Sequence, residues 1–182
     1  MKPIVFDFVG CNQGNLQVTA MTTLNGESLP PITHLEILPS SLEPTSTGIW
    51  TLKGLTSNLR YTEKEDKDKL AAIQADLGRA GATLAAFIPI RKSEAWWNLA
   101  QDERRKIMED KSQHTHSGMK YLPAIARKLF HCRDIGQPFD FLTYFEFAPE
   151  HEDAFEDLLF MLRNTEEWNY IDREIDIRLV RI

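Results

Sequence analysis

Hydrophobic and polar positions along the chain switch between a period of two and a helical period. Residues 4–9, IVFDFV, form a short β-rich run, and residues 16–24, LQVTAMTTL, read as a second strand after turn material at Gly14 and Asn15. From 25 to 48, Gly26, Pro30, Pro31, Pro39, Pro44 and Gly48 predict loop, broken by one short strand at 33–38. Residues 49–60 read as a strand that bends at Gly54. Thr62 then offers a helix N-cap, with Glu63 and Glu65 in the first turn, where negative charge suits the helix dipole. Leu70, Ile73, Gln74 and Leu77 share one face of that helix, and Gly78 and Gly81 are stop signals. TLAAFIPI, 83–90, is an apolar strand with Pro89 near its end.

The second half uses the same alphabet. Residues 93–109 predict a helix, and 118–130, GMKYLPAIARKLF, predict another with Pro123 near its start. Residues 139–149 carry the strongest strand signal, setting Phe139, Phe141, Thr143, Phe145 and Phe147 against Asp140, Leu142, Tyr144 and Glu146. Residues 152–164 predict a helix with an apolar stripe at Phe155, Leu158, Leu159 and Leu162. Residues 173–182 alternate Ile175, Ile177 and Leu179 with charged positions, as a strand does. Strands and helices mix in both halves. The pattern predicts an α+β fold of two ferredoxin-like halves, 1–90 and 91–182.

Composition narrows the partners. A chain of 182 residues buries enough surface to fold without a disulfide or a structural metal. Lys and Arg number 21 against 27 Asp and Glu, a net charge of −6, which argues against nucleic acid or a membrane surface as partner. Cys11 and Cys132 permit one disulfide, but nothing in the sequence calls for it. No apolar run reaches transmembrane length, and Asp7 and Gly10 interrupt any secretory core, so a cytoplasmic protein is expected. The phosphate-cradling GxxxxGK[ST] and GxGxxG patterns and the GxSxG nucleophile elbow do not occur.

Several residues could carry chemistry. His114 and His116 form an HxH in a polar segment, either loop histidines in water or a chelating pair. Trp96 and Trp97 follow Arg91 and Lys92, and read as core packing or an interface. Glu166 and Glu167 sit at a predicted helix C-terminus, against the dipole, so they are either solvated or partnered by a cation. Arg127 lies among apolar neighbours, as a snorkelling arginine does. Gln74 interrupts an apolar stripe, so it faces a pocket or marks the margin of that stripe.

In order, Lys92, Trp96-Trp97, His114, Arg127 and Glu167, together with Leu99, Glu103 and Arg104 of a WWxLxxxER pattern, resemble the chlorite dismutase family. The resemblance covers most of the chain and is best from 83 to 182. The short N-terminal half is similar to the compact, dimeric lineage, which implies a homodimer of barrel-type subunits. The resemblance implies haem b in the C-terminal half, with His114 as the iron ligand. It implies Glu167 behind that imidazole, Lys92 paired with Glu167, and Trp96 and Trp97 beside the porphyrin. Arg127 would hold chlorite on the other side. Apart from the resemblance, the place of Gln74 in the apolar stripe of the first helix gives the expectation that it orients Arg127. The implied reaction converts chlorite to chloride and dioxygen, through a ferryl intermediate and hypochlorite rebound. Coproheme decarboxylases share the scaffold, but there the position of Arg127 is usually a glutamine. A non-enzymatic haem store or sensor is the reading from another class.

Overall fold

The computed structural model describes residues 4–56, 75–111 and 118–182. Among them, the β-rich runs become eight strands. These are β1 (Val5–Cys11), β2 (Leu16–Asn25), β3 (His34–Pro39), β4 (Trp50–Thr56), β5 (Leu84–Lys92), β6 (Ala126–His131), β7 (Phe141–Phe147) and β8 (Ile171–Arg181). They close into one antiparallel barrel in the order β1-β3-β2-β8-β5-β7-β6-β4. Cut at its β4–β6 seam, the ring reads β4-β1-β3-β2 and then β8-β5-β7-β6, so the strand order of the first four recurs in the last four. Among the described residues, the β4–β6 seam pairs Leu55 with His131 and Thr56 with Phe130. The other join, β2 to β8, runs from Leu16 opposite Arg181 to Asn25 opposite Glu174.

Connections differ between the two sets. Residues 12–15 join β1 to β2 and residues 40–49 join β3 to β4, neither with a helix. Between β5 and β6 come the short helices α1 (Glu94–Asn98) and α2 (Gln101–Arg105) and a wide turn of helix at Lys106–Lys111. Between β7 and β8 comes α3 (Glu152–Arg163).

The period of two gives each C-terminal strand two buried faces. Ala85, Phe87, Phe130, Leu142, Tyr144, Ile175, Ile177 and Leu179 point into the barrel, where they meet Phe8, Leu16, Leu35 and Leu52. Ala86, Ile88, Ile90, Phe145 and Phe147 point outward, and α3 covers them with Phe155, Leu158, Leu159 and Leu162. Each of those helix side chains contributes roughly 1.5–3 kcal/mol by leaving water. Close approach inside the barrel requires two glycines. A Cβ on Gly10 would stand 2.3 Å from the Trp50 ring, and one on Gly54 would stand 2.6 Å from the Cβ of Phe130.

Two helix expectations are corrected. Residues 118–130 are not a helix, because a turn through 124 leads into β6, which pairs with β7 along its whole length. Long-range pairing, with Ala126 and Phe130 turned to the barrel, overrides the local helical preference. Residues 93–109 are not one helix, because Leu99 and Ala100 are extended and separate α1 from α2. Most of the helix expected from Thr62 onward, Gln74 included, lies outside the described residues. Both cysteines are free and buried. Among the described residues no helix is long and apolar enough to cross a membrane.

Candidate functional site

The outer face of β5, β6 and β7 and the inner face of α3 do not meet everywhere. Between them lies a cleft. Its sheet wall carries Ile88, Ile90, Phe141, Thr143 and Phe145, with Arg127, Leu129 and His131 along β6. Its other walls carry Leu159 and Leu162 of α3, Trp168, Met108, Glu109, Trp96 and Trp97. The lining is apolar apart from a few charged groups, the usual make-up of a site for a small organic ligand.

The charged groups are placed by strand ends. Lys92 closes β5 where the pairing with β8 skips a residue between Arg91 and Lys92. Its ammonium donates to Glu167 Oε1 at 2.5 Å, and both side chains are almost fully buried. The ammonium also stands 3.8 Å from the centre of the Trp96 ring. Burial holds Lys92 below its ordinary range, while the Glu167 carboxylate, its hydrogen bond and Asp140 pull the other way. Glu167 sits in the first turn of the 3-10 helix Glu166–Tyr170, at its favourable end for an acid. The neighbouring Glu166 has a different partner, Lys111 at 3.0 Å on the surface.

That 3-10 turn is held against β8. Trp168 Nε1 donates to Glu174 Oε2 at 2.9 Å. Glu174 Oε1 accepts from Arg163 Nε at 2.9 Å, and Arg163 reaches Asp176 at 2.9 Å. Arg127 is half-buried in the cleft, on the same face of β6 as Leu129 and His131. Burial lowers its proton affinity, with Glu109 and Glu167 opposing the fall, and the guanidinium stays charged at neutral pH. Trp97 donates to Asp140 Oδ2 at 3.0 Å, and the Arg133 guanidinium lies 4.1 Å over its ring.

The structure brings Lys92, Trp96, Trp97, Arg127 and Glu167 to one cleft. His114 and Gln74 lie outside the described residues. Sequence reasoning missed Asp140, His131 and Glu174. Asp140 was visible as one acid set between Phe139 and Phe141. His131 shares a face with Arg127 only once β6 is known to be a strand.

A family model described as chlorite dismutase matches residues 8–181. A chlorite dismutase from Ideonella dechloratans is 33% identical over 127 residues, 66% of this chain, and the chain spans only 41% of that relative. Among solved structures, the dimeric chlorite dismutase of Nitrobacter winogradskyi has a TM-score of 0.90 and 53% identity, covering 97% of this chain and 99% of that one. The chlorite dismutase of Candidatus Nitrospira defluvii in complex with imidazole has a TM-score of 0.65 at 19% identity, covering 97% and 90%, a likeness of fold alone.

Proposed function

The chain belongs to the chlorite dismutase family, and on that premise we propose that it holds haem b in the cleft and converts chlorite to chloride and dioxygen. The reading is carried by one observation: a largely apolar cleft that contains a guanidinium and a buried ammonium–carboxylate pair. Such a set fits a porphyrin. Apolar walls suit the ring, a carboxylate suits the back of a ligating imidazole, and a guanidinium suits a small oxyanion.

His114 is the proposed iron ligand, and Glu167 the proposed acceptor for its second ring nitrogen. When bound, haem iron supplies the redox centre at which the chlorine–oxygen bond breaks. Lys92 neutralises part of the charge on Glu167 and so limits how strongly that carboxylate acts on the imidazole. Trp96 and Trp97 wall the ring. Arg127 holds the anion by charge-assisted hydrogen bonds and keeps reactive fragments from escaping. Gln74 orients Arg127. On this reading the two sets of four strands are ferredoxin-like halves, which the repeated strand order supports; β5 (Leu84–Lys92) opens the second set, so the division lies upstream of β5 and not between 90 and 91 as expected from the sequence. The protein is proposed to be a homodimer, like its Nitrobacter neighbour.

The test is direct. Chlorite added to the red-brown protein releases oxygen, read on an electrode, and His114→Ala abolishes the ligated haem spectrum. A His114→Ala protein with the wild-type spectrum overturns the ligand. Bound haem without gas turns the reading to a store or sensor.

A further inference from the structure

Asp140 lies behind the cleft and not in it. Its backbone is tied on both sides: its N–H donates to Ile90 O at 2.9 Å, and its carbonyl accepts from Cys132 N at 3.0 Å. Its side chain is buried, and three elements converge on it. Oδ2 accepts the backbone N–H of Lys92 at 2.7 Å and Nε1 of Trp97 at 3.0 Å, while Oδ1 faces Arg133 at 3.3 Å. The β5–β7 ladder ends at Ile90 opposite Phe141, so the Lys92 N–H, on the same edge of β5 as Ile90, takes the side chain of Asp140 as its acceptor. Arg133 pairs with Asp140 and also covers the Trp97 ring.

We infer that Asp140 is a positioning residue: through one carboxylate oxygen it fixes where Lys92 and Trp97 stand at the wall of the cleft, and thereby how firmly the cleft holds its ring. This rests on the haem reading above and deepens it. The geometry also predicts what can replace Asp140. Both cleft-side donors use Oδ2, so the carbonyl oxygen of an asparagine can receive both. Only the Arg133 contact is lost, and Arg133 is half exposed and can turn to water. An alanine gives neither donor an acceptor.

The experiment compares loaded wild type, Asp140→Asn and Asp140→Ala. One readout is the rate at which each gives up haem to excess apomyoglobin. The other is the ultraviolet resonance Raman band that reports indole N–H hydrogen bonding. Loss of an acceptor for buried donors should speed haem release by about tenfold or more in Asp140→Ala, with Asp140→Asn within about threefold of wild type. The Raman signature of a bonded indole should weaken in Asp140→Ala and persist in Asp140→Asn. Equal release from all three proteins overturns the inference. So does an Asp140→Asn that fails as badly as Asp140→Ala, since the charge and not the acceptor would then matter. A wild type that takes up no haem overturns the parent reading instead, and the Raman contrast still decides the Asp140 contacts.

Discussion

At the scale of single residues, the buried Lys92–Glu167 pair is the most demanding feature. Two opposite charges out of water are tolerable only together, because either one alone has no compensation. Lys92→Met should therefore destabilise the fold by roughly 3–5 kcal/mol in denaturant unfolding, and Lys92→Met with Glu167→Leu should recover much of that loss. A Lys92→Met protein as stable as wild type would show that the pair is solvated. The sign of the pH effect follows from burial. The native state gives up the Lys92 proton more readily than the unfolded chain, so this group costs stability below its lowered pKa. That cost is relieved as pH rises towards the ordinary 10.5. Arg127 is a different kind of residue, a guanidinium on the wall of the cleft with a proposed role in holding the anion. Arg127→Ala should lower chlorite turnover by about 10–1000-fold, the scale of losing one preorganised electrostatic donor, and haem should bleach sooner. Gln74→Val should move both quantities the same way by less. Stopped-flow decay of chlorite with the Soret band followed in parallel measures both, and unchanged kinetics and durability would remove either residue from its role.

At the scale of elements, the barrel closes at the β4–β6 seam, where the described residues form two pairs beside Gly54. A side chain there meets Phe130 Cβ at 2.6 Å, which the strands can relieve only by parting. Gly54→Ala should cost about 1–3 kcal/mol by overpacking, read as a lower melting temperature. An unshifted melting curve would mean that the seam gives way freely. All the strands but β6 were legible in the sequence, β7 and β8 by clean alternation, as was the stripe of α3. β6 was not. ARKLFH has Ala, Arg, Lys and Leu, all good helix formers, and only its neighbours β7 and β4 make it a strand. The break at Leu99 and Ala100 was equally hidden, because neither residue is a helix breaker by type. In the site, Lys92, Trp96, Trp97, Arg127 and Glu167 were named through an ordered pattern. Asp140 escaped because its role depends on the backbone N–H of Lys92, 48 positions upstream, which only the folded sheet brings beside it.

At the scale of the whole molecule, the repeated strand order makes two sheets out of one chain, yet only the second carries helices across its outer face among the described residues. The cleft lies there. The proposed homodimer should appear in light scattering as about 42 kDa, twice the 21.0 kDa chain. A mass of one chain, in the loaded protein at micromolar concentration, would overturn it. Strands β5 and β7 face the barrel interior with one set of side chains and the cleft with the other. A frame of period two has no intermediate position. Deleting one residue in the middle of β7 would therefore trade the two linings wholesale along the rest of the strand, sending tyrosine and glutamate into the ligand's space and phenylalanines into the oil. Length in these strands is thus under tighter constraint than the identity of any one residue in them, and natural variation should substitute freely there long before it inserts or deletes.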